Sequence, residues 1–181
     1  MKKTVSVAPM MDCTDRHDRY FLRLISKNVK LYTEMIVAKA IIKGDRDFLL
    51  NFNLLEKPLT LQIGGSDPKE LGEASKIAES YGYDEINLNL GCPSKKVQKN
   101  KFGACLMKEP NLVGECVSAM KNSCNLPITV KTRIGFDEIE DYEYLKKFLT
   151  IINKAGSNTF IIHARRAILD KLTPKQNLNI P

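Results

Sequence analysis

The feature that most constrains this chain is a rhythm. Short runs rich in valine, isoleucine and leucine recur every ~25–40 residues, with amphipathic stretches between them. The runs are residues 5–10, 31–37, 59–63, 85–90, 127–131 and 159–162. A helix is predicted over 15–26, with Tyr20, Phe21, Leu24 and Ile25 on one face. A second helical stretch and a loop fill the chain to about Lys57. The next helix has both of its ends written out. Asp67 can cap it, Pro68 suits the first helical position, Glu70 can complete a capping box and Gly82 stops it. Helices are also predicted over 112–121, with Val113, Cys116, Val117 and Met120 on one face, and over 141–154, closed by Gly156. Strands alternating with helices through short loops predict a parallel sheet covered by helices.

Nothing resembling a low-complexity linker interrupts the alternation, so residues 1–181 read as one domain. A complete eight-fold barrel takes ~250 residues. The 181 residues, with six strand candidates, suit either a smaller open α/β sheet or the first three quarters of a barrel. No apolar run approaches the ~20 residues of a membrane span. The N-terminus has no signal-peptide pattern, which predicts a cytoplasmic protein. The net charge of +7 suits a polyanionic partner such as RNA, although many basic enzymes never meet nucleic acid.

Parallel strands place their carboxyl ends on one rim, where α/β proteins bind ligands. At or just past the strand ends stand Pro9-Met10-Met11, Glu34, Gln62, Asn87 and Asn89 with Cys92, Lys131 with Arg133, and His163 with Arg165. Unpaired polar groups inside buried strands cost ~1–3 kcal/mol each, so a set of them on one rim points to a ligand. For any single one, a satisfied structural hydrogen bond is the simpler reading.

The five cysteines form no CxxC pair, and with two histidines no zinc spacing appears, so no metal site is expected. Cys116 and Cys124 fall on or near an apolar helix face and are expected in the core, Cys105 lies in an apolar setting and is expected to be buried, and Cys13 sits in a loop where either reading stands. Cys92 differs, because the turn Gly91-Cys92-Pro93-Ser94 holds it on the rim. A thiol that is protonated at neutral pH can donate a proton. A nucleophilic pairing of Cys92 with His163 has no base beside it in the sequence. Lys131 emerges from an apolar run and could stabilise negative charge on a flavin or phosphate, with a salt bridge to Glu34 as the structural alternative. Neither GxGxxG nor a Walker A sequence occurs, which disfavours Rossmann and P-loop sites.

Seven stretches come in a telling order. They are Val7-Ala8-Pro9-Met10-Met11-Asp12, Leu31-Tyr32-Thr33-Glu34-Met35, Leu61-Gln62-Ile63-Gly64-Gly65, Asn87-Leu88-Asn89-Leu90-Gly91-Cys92-Pro93-Ser94, Gly103-Ala104-Cys105-Leu106, Val130-Lys131-Thr132-Arg133 and His163-Ala164-Arg165. Together they resemble the tRNA-dihydrouridine synthases, most closely the A subfamily that acts on a D-loop uridine (20/20a). The resemblance implies a (β/α)8 TIM-type barrel, here about its first six βα units, as the N-terminal part of an FMN-binding catalytic domain. The later strands, which hold the FMN phosphate, and the helical tRNA-binding domain of the family have no counterpart in these residues.

The resemblance also implies roles. NADPH reduces FMN, hydride passes to C6 of an extruded uridine, and a cysteine matching Cys92 protonates C5. Pro9, Met10, Met11, Gln62, Lys131 and His163 match the FMN-contacting positions. Asn89 matches a position that meets the substrate nucleotide, and Lys175 a tRNA-contacting position. Leu178 stands where a basic residue is expected. The partner implied is tRNA, with no membrane and no metal, and the full-length protein is expected to be a monomer. Two other readings compete: a flavin barrel acting on a small pyrimidine, and an inactive RNA-binding fragment.

Overall fold

The computed structural model describes residues 4–169, 172, 174–177 and 179. Its sheet has five parallel strands, β1 (Leu31–Val37), β2 (Leu59–Gly64), β3 (Glu85–Leu90), β4 (Ile128–Arg133) and β5 (Phe160–His163), in the spatial order of the chain. Parallel neighbours need a crossover, and right-handed crossovers put every helix on the same face. A doubly wound sheet would reverse its order part-way. This one does not, so it is the arc of a TIM-type barrel.

The outer layer is α1 (Arg16–Ile25), α2 (Ala38–Lys43), α3 (Arg46–Leu50), α4 (Pro68–Ser80), α5 (Lys95–Lys99), α6 (Pro110–Ser123) and α7 (Tyr142–Lys154), followed by a last short helix α8 (Pro174–Asn177). α4 packs between α2 and α6, and α6 packs against α7. Between these helices and the sheet lies the core, built from Leu61, Ile63, Leu71, Ile86, Leu88, Val113, Val117 and Val130, all fully buried. The α4 start is as its sequence predicts: Asp67 accepts the N–H groups of Lys69 and Glu70, and Pro68 opens the helix. Glu70 does not close a box. It lies 3.9 Å from Lys39 instead.

Two expectations need correction. Residues 5–10 are not a strand. A single parallel bridge joins Ser6 to Lys30, so among the described residues the sheet has five strands rather than six. Pro9 has no N–H to give, and the chain then turns at Met10, whose carbonyl accepts from Thr14. The apolar face of α1 is real but points away from the sheet. Phe21, Leu24 and Ile25 are exposed, while Arg19 and Arg23 are buried. Arg19 pairs with the buried Glu56 at 2.6 Å, and Arg23 donates to the carbonyls of Val29, Glu56 and Pro58.

Candidate active site

Side chains alternate along a strand, and parallel register carries one face from strand to strand. On β3 the inner face is Glu85, Asn87 and Asn89. Its register partners are Thr60 and Gln62 on β2, Thr129 and Lys131 on β4, then Ile161 and His163 beside Lys131 and Arg133. The inside of the barrel wall is therefore polar, as the strand-end residues led us to expect.

Much of that polarity is satisfied internally. Gln62 Nε2 donates to Asn87 Oδ1 at 2.8 Å, and Asn87 Nδ2 donates to Thr129 Oγ1 at 3.0 Å. Thr129 Oγ1 donates to Glu85 Oε1 at 2.8 Å, and Glu85 pairs with Lys30. Toward the rim, Asn89 Nδ2 donates to Gln62 Oε1 at 2.8 Å. Gln62 is 1% exposed, so its amide is committed to its neighbours before any ligand arrives. Thr129 and Glu85 were not singled out by sequence reasoning. Their signal was available, since both lie on the inward alternation of their strands.

Cys92 is held from several sides. Asn89 Oδ1 accepts the N–H of Gly91 at 3.1 Å and that of Cys92 at 3.0 Å. Arg133 Nε donates to the Gly91 carbonyl at 3.1 Å, and Ala104 N–H donates to the Cys92 carbonyl at 2.9 Å. Gly103 lets the second contact form. Its φ is +76°, and a Cβ there would sit 2.7 Å from the Cys92 carbonyl. Ser94 then caps α5 by accepting from Val97. The thiol lines a cavity of about 780 Å³ together with Met11, Met35, Gly65, Ser94 and Phe102.

Lys131 and Arg133 form a neighbouring cationic strip, and His163 stands beside Arg133 in register. Among the described residues none of them pairs with a carboxylate. The salt bridge between Lys131 and Glu34 is not made, and Glu34 accepts the Asp12 N–H at 2.6 Å. Burial, then Arg133, holds the Lys131 pKa below its ordinary value. Burial, then Arg133, Lys131 and Arg165, does the same to His163.

At the N-terminal side Met10 and Met11 are exposed and Pro9 half-buried. Thr14 pins this loop by accepting the Met10 N–H at 3.0 Å. Cys116 and Cys124 are buried as expected, Cys105 is half-buried and Cys13 is exposed. Lys175 is exposed on α8 and is not among the described residues that line the Cys92 cavity. Its helix is nevertheless tied to the rim. Asn177 makes two bonds to the Ile168 backbone, and Gln98 Nε2 donates to the carbonyls of both Leu169 and Pro93. Leu178 lies outside the described residues.

Residues 6–181 match the family described as dihydrouridine synthase (Dus). The chain belongs to the dihydrouridine synthase family. It is 56% identical over 177 residues to a tRNA-dihydrouridine(20/20a) synthase of Synechocystis sp., a match covering 98% of this chain and 53% of the relative. Relatives of the same description in Shewanella oneidensis (55% over 181 residues) and Vibrio parahaemolyticus (56% over 178 residues) are covered to 54% each, and take in 100% and 98% of this chain. This dihydrouridine synthase chain thus spans about half the length of the curated relatives it matches. Among its described residues no three histidine, cysteine or acidic side chains gather as a metal site. No described helix is long and apolar enough to cross a membrane.

Proposed function

We propose that this chain is the N-terminal catalytic part of a cytoplasmic tRNA-dihydrouridine synthase, monomeric in its full-length form, which reduces a D-loop uridine (20/20a) with FMN and NADPH. The observation that carries the reading is the Cys92 turn, fixed on the rim by Asn89 and Arg133 beside two cations, Lys131 and Arg133, that pair with no carboxylate among the described residues. A flavin suits these cations, because its reduced ring and its phosphate are anionic. Lys131, His163, Gln62, Pro9, Met10 and Met11 are the residues that would hold it. When bound, the flavin supplies the hydride that uracil receives at C6.

The chain's own groups account for the remainder. Asn89 keeps one N–H beyond its bond to Gln62, a donor suited to a uracil carbonyl. Cys92 donates its proton to C5, which breaks the S–H bond and leaves the electron pair on sulfur. The extruded base would lie on the rim between Asn89 and Cys92, at the edge of the cavity that Cys92 lines with Met35 and Phe102; Asn89, Gln62, Lys131 and His163 do not line that cavity. Lys95, Lys96, Lys99 and Lys101 are all exposed on and just after α5, directly beyond the Cys92 turn. They offer the RNA backbone a basic surface beside the Cys92 rim.

The test compares the full-length enzyme that contains this chain with its Cys92→Ala variant. Both are expected to retain flavin after removal of excess FMN and to bind tRNA. Only the parent is expected to form dihydrouridine from tRNA and NADPH, read by mass spectrometry of the nucleosides. Equal product from both would remove Cys92 from the acid role. Reduction of free pyrimidines with indifference to tRNA would replace the substrate assigned here.

A further inference from the structure

Arg133 ends β4 on the inner face, in register with His163, and is 6% exposed. Its Nε bonds the Gly91 carbonyl, yet its Nη1 is buried without a hydrogen-bond partner. No carboxylate among the described residues faces it. A buried cation without a counter-ion is expensive to keep, and such groups concentrate where their charge acts on chemistry. Burial lowers the Arg133 pKa most. The neighbouring Cys92 opposes that shift, whereas Arg165 adds to it. Cys92 follows directly in the chain from the carbonyl that Arg133 holds, so its sulfur is the adjacent atom on which a compensating negative charge can form.

The covalent geometry agrees. The Gly91 carbonyl belongs to the same peptide unit as the Cys92 N–H. Arg133 grips that peptide by its oxygen, while Asn89 grips it by its hydrogen at 3.0 Å. A cation from β4 and an acceptor from β3 thus clamp one peptide plane, the plane that aims the thiol. Lys131, in register with Asn89, occupies the next inner position of β4 toward the barrel floor.

We propose that Arg133 is a positioning residue for Cys92: it fixes the turn through the Gly91 carbonyl, and its charge stabilises the thiolate left when Cys92 gives up its proton. The inference rests on Cys92 as the acid. A charge fixed before the proton moves needs no reorganisation during the step.

Charge-selective alkylation of the 181-residue chain tests this without turnover. Rates at Cys92 are followed by peptide mass spectrometry with anionic iodoacetate and neutral iodoacetamide, at one pH and low salt. Accessibility and thiolate fraction affect both reagents alike, so their ratio reads the potential at the sulfur. Arg133→Met is expected to lower the iodoacetate-to-iodoacetamide ratio about fivefold, and Arg133→Lys to keep it within about twofold. A merely structural clamp would slow or speed both reagents together and leave the ratio unmoved, which overturns the proposal. Should Arg133→Met not fold, Arg133→Gln takes its place, with the same fall in the ratio expected. A parent ratio equal to that of free cysteine also overturns it. Product formation by Cys92→Ala would sink the acid role separately, since the alkylation ratio does not depend on it.

Discussion

The backbone N–H of Cys92 donates to Oδ1 of Asn89 at 3.0 Å. The proposed proton donor and the proposed base-holding residue are therefore one hydrogen-bonded unit before any substrate binds. The other end of the Asn89 amide donates to Gln62, which makes the unit continuous with the inner wall of the barrel.

That continuity makes Asn89→Asp costly. The substitution is nearly isosteric but turns the donor facing Gln62 Oε1 into a second acceptor. Two oxygens would then oppose each other where a 2.8 Å bond now stands. The expected loss is about 1–3 kcal/mol, the range for a buried polar group deprived of its partner. A urea titration reads it as a lower midpoint at unchanged slope. A midpoint equal to the parent's would mean that the Gln62–Asn89 bond is not held in solution.

Lys131 should trade stability for function. Burial and Arg133 keep its folded pKa below 10.5, so the unfolded chain takes up its proton more readily than the folded one. The resulting cost is fully present below the folded pKa, and it fades as pH rises toward 10.5. Lys131→Met should therefore raise the thermal midpoint by a few degrees at neutral pH, with the gain shrinking toward pH 10.5. The acid side should respond too. Lys131 helps to hold His163 below 6.5, a cost that is absent above pH 6.5 and grows as pH falls toward the folded pKa. Its removal should flatten that decline. The same variant should release FMN more readily. Melting curves across pH and a flavin absorption spectrum check both halves, and a lower midpoint at neutral pH would contradict the first.

On the proposed function, the lysines of α5 would carry the electrostatic side of RNA binding. Lys96→Gln and Lys99→Gln should each weaken tRNA binding without altering flavin retention. Each should also reduce the slope of log affinity against log salt by about 1. Filter binding over a salt series measures the slope, and an unchanged slope in the double variant would remove this face from the RNA path.

The alternation was legible because buried parallel strands are written as apolar runs between clear helix signals. β2, β3 and the Asp67 cap of α4 stand where the sequence puts them, to within a residue. Residues 5–10 have the same apolar spelling but make a single bridge, because Pro9 has no N–H to give and the chain turns at Met10, which the apolar run does not report. For α1 the periodicity identifies two faces but not which one turns inward. That depends on Glu56, 37 residues away, offering its carboxylate to Arg19. On the rim, Cys92 was legible from its turn and Lys131 from its apolar approach. The commitment of Gln62 to Asn87 and Asn89 was not, since it needs the β2–β3 register.

The inner-wall chain from Glu85 to Cys92 has a consequence of its own. Oxygen and nitrogen of an isolated carboxamide can trade places, and the two orientations look nearly alike. Here they cannot trade. A carboxylate only accepts, and it closes one end at Glu85; backbone N–H groups only donate, and they close the other at Gly91 and Cys92. Thr129, Asn87, Gln62 and Asn89 must all read in the same sense between those two ends. Polarity is thus transmitted up the wall like a one-way grammar, from an ion pair at the barrel floor to the amide at its mouth. What Asn89 has left to offer is a hydrogen, not a lone pair, so a carbonyl edge is answered there and an amino edge is refused.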